Sequence, residues 1–313
     1  LGVFNVWLGM NSLSGAAQIS SILFFIVVLL LSLEFIARRN QRFHERHSRQ
    51  ISPELEETTP IQKVTFLTIC IVPLMLGFVI PVFVLLNFVF KGYAVFNLSE
   101  VFQITSASLT ISLLAAFFIM LVSFFLIVVS TYKSNNFQKT LIFLASCGYA
   151  FPGTILAVGI VVFIGWLNDL IYFRMSYFAG GFIVLVFAYC IRFLAVGNGA
   201  MRSGISRINP NLIDASRTMG RSFFTTIKRI IIPLTYTNLL VGGILVFVDI
   251  LKELPITLLL RPFNFETLAT YVYQYASDEM LEESSFAALI IVIAGLGPVI
   301  YLSSTIKKLS FKK

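Results

Sequence analysis

The chain has 313 residues, 58% of them hydrophobic and only 12% charged, with a mean hydropathy of +0.90. Soluble domains carry roughly 25% charged residues, so this balance excludes an ordinary soluble enzyme and describes an integral membrane protein. The net charge of +8 does not point to nucleic acid, because the basic residues fall in alternate loops between apolar segments rather than on one soluble face.

Seven apolar segments are long enough to cross a bilayer, at about residues 16–36, 64–90, 104–130, 140–164, 180–199, 234–254 and 284–303. The expected fold is therefore an all-α membrane protein, a polytopic bundle of about seven transmembrane helices. One set of loops holds Arg38, Arg39, Arg42, Arg46, Arg49 and Lys63, then Lys133 and Lys139, then six bases between Arg202 and Arg229, then the lysines from Lys307 onward. The other set holds only Lys91, Arg174 and Arg261. The excess of Lys and Arg assigns the first set to the cytoplasm, which puts the N-terminus outside and the C-terminus inside. Trp7 and Trp166 then fall near outer interfaces, where amphipathic rings settle. Cys70, Cys147 and Cys190 all lie within apolar segments and read as small hydrophobes, not as a disulfide or zinc framework.

Between the first and second segments, RRNQRFHERHSRQISPELEETTP is basic and then acidic, with Pro53 and Pro60, and reads as a cytoplasmic linker over residues 37–63. His44 and His47 are three apart, but no cysteine or third histidine joins them, so a solvated basic segment is the reading and no metal site is expected. Pro73 and Pro81 in the second segment and Pro152-Gly153 in the fourth are expected to kink their helices. Such kinks either shape a pathway or only serve packing, and the residues leave both readings open. Gly197-Asn198-Gly199 reads as the end of the fifth helix, and Arg192 as an interfacial anchor in its inner half.

Residues 209–233, NPNLIDASRTMGRSFFTTIKRIIIP, form a polar, basic interruption with its own helix punctuation. Asn209 suits an N-cap and Pro210 the first helical position, where the missing N–H costs nothing. Leu212, Ala215, Ser216 and Met219 recur at three- and four-residue steps and predict one narrow face, with Arg217 elsewhere. Gly220 can take the left-handed conformation that closes a helix. Ser222 can then cap a second helix with Phe223, Phe224, Ile227, Ile230 and Ile231 on one side, and Pro233 marks the start of the next span. Asp214-Ala215-Ser216, three residues, Gly220, nine residues and Ile230-Ile231-Ile232-Pro233 resembles the EAA loop of ABC importer permeases, E-A-A-x3-G-x9-I-x-L-P, with Asp for Glu at 214 and Ser for Ala at 216. The resemblance implies a type I importer permease fold whose cytoplasmic helix-turn-helix docks on an ATPase subunit through Asp214, Ala215, Ser216, Arg217, Gly220, Ile230 and Pro233.

Asp249, Lys252 and Glu253, in DILKELP, lie at three- and four-residue spacings that put them on one helix face. Ionisable groups inside a membrane are pathway candidates. With Pro255 closing the segment, they equally suit an outer interface where Lys252 snorkels. From Ile256 to Glu283 the chain is too short of apolar residues to cross and reads as an outer segment dipping back. The run LKELPITLLLRPFNFETLATYVYQYASDE is similar to the corresponding stretch of ferric-iron permeases. Tyr271, Tyr273 and Tyr275 would suit Fe(III) as oxygen donors, but interfacial tyrosines explain them without a metal, and no resident metal is expected.

The resemblance implies a passive membrane pathway of the bacterial inner membrane. No GxxxxGK[ST] loop occurs in the chain, so ATP and Mg belong to a separate ABC ATPase, and no cofactor is expected on this chain. The other implied partners are a periplasmic or extracellular substrate-binding protein and a second permease half. The linker separates one leftover span from a run of six. The expected division is therefore residues 1–36 as the last helix of a first half, 37–63 as linker and 64–313 as a six-helix permease unit. Ferric iron is the expected cargo, with thiamine or polyamines as the alternative. From a different class, a proton-coupled secondary transporter would use Asp249, Lys252 and Glu253 as a relay, and a membrane sensor or scaffold would bind a regulator without flux.

Overall fold

The computed structural model of the chain describes residues 2–39, 59–92, 97–132, 135–171 and 181–310, and among them no β-strand occurs. Helices satisfy their backbone N–H and C=O groups internally, which a bilayer without water requires. After short helical turns at Gly2–Phe4 and Asn5–Gly9, α1 runs Leu13–Arg39 and includes the apolar stretch Ser14–Leu30. The linker residues 40–58, with His44 and His47, lie outside the described residues. Next come α2 (Pro60–Phe90), α3 (Leu98–Tyr132), α4 (Asn136–Ser146), α5 (Gly153–Ile171), α6 (Phe182–Ile205) and α7 (Pro210–Thr218). The chain continues with α8 (Phe223–Leu251), α9 (Pro255–Leu260), α10 (Leu268–Ser277) and α11 (Leu281–Ser310). Among the described residues, α2, α3, α6, α8 and α11 are each long and apolar enough to cross a membrane.

The core is made where α3, α6 and α8 pack mutually, around Ile111, Ala115, Ile119, Leu185, Ala188, Tyr189 and Val246. Helices in lipid gain little from the hydrophobic effect and associate by close backbone approach at small residues. Gly197 of α6 lies against Ser123 and Ile119 of α3, and a Cβ on Gly242 of α8 would meet Ala200 of α6 at 2.7 Å. Here the sequence expectation is corrected, because α6 does not end at Gly197-Asn198-Gly199 but continues to Ile205. The glycine serves packing, and the buried Asn198 donates from Nδ2 to Ser146 Oγ at 3.2 Å.

At two prolines the helix runs on: at Pro81, where a kink is expected, and at Pro233, where a span is expected to start. A π-turn over Met75–Val79 precedes Pro81, and another over Ile227–Ile231 precedes Pro233, with Ile80 and Ile232 donating five residues back to Met75 and Ile227. The widened turn shifts the carbonyl that a proline ring would strike, so each helix continues. Pro233 therefore lies inside α8, which is continuous over 29 residues from the polar hairpin.

The fourth expected span, 140–164, is not one straight helix. The chain leaves α4 through a 3-10 turn at Cys147–Ala150, extends at Phe151 (φ −84°, ψ 138°) and turns by 116° into α5. Phe151 precedes Pro152, whose ring disfavours the helical conformation at the residue before it. Gly148 lets this turn rest directly on the backbone of Ile191 in α6. Pro152 thus marks a reversal, not a kink.

The outer elements frame this core. α5 packs against α1 and α9, and α11 against α2, α8 and α10. Phe24 of α1 stacks on Phe151 with ring centroids 5.2 Å apart. Ser108 of α3 accepts from Leu268 N at 2.7 Å and so holds the start of α10. Tyr271 is buried with Ile104, Leu268 and Ala287, and its ring lies 4.6 Å from that of Tyr275.

Candidate functional site: a polar hairpin and a buried ion pair

The polar stretch folds as a helical hairpin between α6 and α8. Asn209 Oδ1 accepts from Asn211 N at 3.0 Å at the start of α7. Gly220 has φ +73°, and Arg221 N donates to Ser216 O at 3.1 Å across the reversal. Ser222 then caps α8, its Oγ accepting from Thr225 N at 3.4 Å. The hairpin has its own inner face. Ile213 joins Ile205, Ile208, Ile227 and Ile231 in the core, and Ser216 Oγ lies 2.8 Å from Thr226 Oγ1.

The predicted face of α7 is therefore divided. Leu212, Ala215 and Met219 are exposed, but Ser216 is buried, because it sits at the edge of that stripe beside Ile213 and turns into the hairpin. The second helix is divided too. Ile227 and Ile231 are buried and Ile230 is half-buried, whereas Phe224 is 76% exposed on the other side. Asp214 is exposed and lines a cavity with Arg202, Ser130 and Thr131, where the ends of α3 and α6 meet α7. Arg217 lies in α7, and its side chain is outside the described residues.

The charged trio at the far end of α8 does not share one face. Helix α8 ends at Leu251, and the chain turns before α9. Lys252 Nζ pairs with Asp249 Oδ1 at 2.9 Å, with the lysine side chain 63% exposed. Glu253 turns the opposite way and is 7% exposed, its Oε2 lying 3.4 Å from Nε of Arg192. Glu253 Oε1 also accepts from Ile256 N at 3.3 Å, and Thr257 Oγ1 donates to Glu253 O at 2.7 Å.

Arg192 is consequently not an interfacial anchor. It lies midway along α6, and its Nη1 donates to Phe151 O at 3.0 Å in the reversal between α4 and α5. A Cβ on Gly153, the first residue of α5, would lie 2.8 Å from Glu253 Oε1 and 2.9 Å from Arg192 Nη1, so the start of α5 closes over the pair. A carboxylate at a helix N-terminus meets its positive end, which adds to the attraction of the guanidinium. One turn earlier on α6, Tyr189 OH lies 2.6 Å from Thr257 Oγ1. Only the length of α6 could have indicated this role for Arg192, since a helix running to Ile205 moves it from the end of a span to the middle.

A bundle of long apolar helices with mutually packed α3, α6 and α8, in which a polar hairpin joins α6 to α8, defines a polytopic α-helical membrane protein. Residues 127–307 match the family described as binding-protein-dependent transport system inner membrane component, and this chain belongs to that family. That family is the one of ABC importer permeases, which makes the chain a multi-span inner-membrane component of a transport system. The chain is 25% identical over 305 residues to the Fe(3+)-transport system permease protein FbpB 2 of Haemophilus influenzae, an alignment that covers 96% of this chain. The chain spans 58% of the length of that relative. In fold it is similar to a chain of a bacterial ABC transporter involved in the import of the acidic polysaccharide alginate, with a TM-score of 0.62 at 15% identity. That match covers 79% of this chain and 96% of the other.

Proposed function

We propose that this chain is the membrane pathway of an ATP-driven ferric-iron importer and that residues 209–233 are its contact with the ATPase. The observation that carries the coupling assignment is the hairpin itself. Its inner face is set into the core by Ile213 and Ile227 and its two arms are held together by the Ser216–Thr226 contact, while Leu212, Ala215 and Met219 stay exposed as a small apolar docking face. The spacing of Asp214, Gly220, Ile230 and Pro233 supports the same reading. An ATPase that prefers different geometries with and without nucleotide would move α6 and α8 together, since the hairpin joins them. The iron assignment rests on the similarity to the Fe(3+) permease. The positive-inside distribution supports a cytoplasmic hairpin, with a substrate-binding protein acting on the opposite side and a second permease half completing the pathway.

The test is capture of the full-length native protein from detergent, assayed for co-purifying ATP hydrolysis, alongside iron accumulation in cells under iron limitation. Leu212→Glu and Met219→Glu are expected to reduce the captured hydrolysis at least about tenfold, the loss that burying one unpaired charge in an interface brings. No hydrolysis with the intact protein would overturn the coupling assignment. Iron accumulation unchanged by deletion of the protein would overturn the cargo.

Asp249 and Lys252 are the pathway residues under this reading. Helix α6 has 24 residues, about 36 Å, so Arg192 near its middle falls within a hydrocarbon layer about 30 Å thick when the helix spans it. Glu253 is at that level because it pairs with Arg192, and Lys252 is its neighbour. An exposed ammonium at such depth is too costly against lipid and faces water. In a cysteine-free background, Lys252→Cys is thus expected to react with a membrane-impermeant thiol reagent, and Leu245→Cys, about two turns earlier on α8, to react more slowly. Complete protection of Lys252→Cys would assign that face to lipid or protein.

A further inference from the structure

Three separate pieces of chain meet at one guanidinium. Arg192 belongs to α6, reaches Glu253 in the turn after α8, and donates to Phe151 in the reversal between α4 and α5. A second contact, Tyr189 with Thr257, ties α6 to the same turn one helical turn away. Gly153 carries no side chain where one would push the pair apart. Elsewhere the contacts among α3, α6 and α8 are mainly apolar and non-directional, which lets helices slide over one another. A guanidinium that donates a directed hydrogen bond to a carbonyl and is paired with a buried carboxylate resists such sliding, because moving it breaks the bond and strands the charge.

The placement of this node matters for transport. The hairpin of residues 209–233 joins the C-terminal end of α6 to the N-terminal end of α8, and the node joins the middle of α6 to the C-terminal end of α8. The two helices are thus tied at two levels, and the upper tie also holds the α4–α5 reversal. A push delivered at the hairpin then moves α6, the 252–257 turn and the reversal as one body. Without the upper tie, the same push would be absorbed by slippage between α6 and α8.

We propose that Arg192, through Glu253 and the Phe151 carbonyl, is a positioning residue that transmits displacement of the hairpin to the pathway. This inference rests on the coupling reading above, and the experiment separates the two. The full-length protein with its ATPase is reconstituted in liposomes, and hydrolysis and cargo uptake are measured for Arg192→Gln, Glu253→Gln, Arg192→Lys and the double Gln variant. In each single Gln variant ATPase capture and hydrolysis are expected to stay within about twofold of native, while uptake falls about tenfold or more, because a buried charge loses its partner. The double variant removes both charges and leaves neither one buried without its partner, so its uptake is expected to exceed that of the worse single variant by about threefold, a non-additivity that marks direct coupling. Arg192→Lys keeps the charge without the fork and should fall between native and Arg192→Gln. Native uptake in the single variants would overturn the proposal, as would parallel loss of capture, hydrolysis and uptake in the double variant, which is the signature of a purely structural role. Absence of hydrolysis with the native protein would instead overturn the coupling reading.

Discussion

Gly148→Ala is expected to destabilise the protein by about 3 kcal/mol, the upper part of the range for forcing extra atoms into a packed site. A Cβ on Gly148 would collide with the carbonyl of Ile191, a backbone atom of α6 that cannot swing away as a flexible side chain does. The 3-10 turn at Cys147–Ala150 would have to lift off α6. Lifting it would lengthen the Arg192 to Phe151 hydrogen bond, so the damage should extend to the buried ion pair. Gly159→Ala is the control. It lies within α5 with open space where its Cβ would go, and replacing a helical glycine should be neutral or stabilise by up to about 1 kcal/mol. Thermal unfolding of the two variants in detergent tests the contrast. Equal midpoints for Gly148→Ala and the native protein would mean that the turn does not rest on α6 as described.

Gly220→Val should leave the protein inserted and folded while reducing ATPase capture about tenfold. Nothing lies within 4 Å of a Cβ at Gly220, so the effect cannot come from a clash with neighbours. It comes from φ +73°, a conformation that costs an ordinary L-residue roughly 1–2 kcal/mol and a β-branched one at least as much. The turn would relax away from this geometry and carry the exposed Leu212, Ala215 and Met219 with it. A distortion of about 1.4 kcal/mol is tenfold in an affinity. Asn tolerates the left-handed region, so Gly220→Asn should retain most of the capture. If Val and Asn captured the ATPase equally well, the backbone conformation at 220 would have no part in docking.

The residues that departed from expectation did so for physical reasons that local patterns do not encode. Ser216 lies on a stripe with Leu212, Ala215 and Met219, yet Ile213 one turn back draws it inward onto Thr226. Pro233 looks like a helix start, but the π-turn at Ile227–Ile231 absorbs it and lets one helix run from the hairpin to the ion pair. Gly197-Asn198-Gly199 looks like a helix end, and is instead a site of close packing on α3 together with a buried hydrogen bond to Ser146.

What the amino-acid sequence determined by itself was the solvent of each segment and the local punctuation of the hairpin. Hydropathy over about 20 residues decides whether a helix lies in lipid, and caps, prolines and glycines act on their immediate neighbours, so both are local properties. The membrane class, the all-helical bundle, the resemblance carried by residues 209–233 and the left-handed turn at Gly220 all follow from such properties. Tertiary structure alone decided the partners of Arg192 and Glu253. Arg192 and Glu253 are far apart in sequence, and Asp249, Lys252 and Glu253 have a spacing that a continued helix would keep on one face. Because α8 stops at Leu251, Glu253 is free to turn away from Lys252 toward α6, and because the chain reverses at Pro152, the Phe151 carbonyl is there to receive Arg192. A charge in an apolar interior takes whatever partner the packed helices bring within reach, and that depends on the whole bundle.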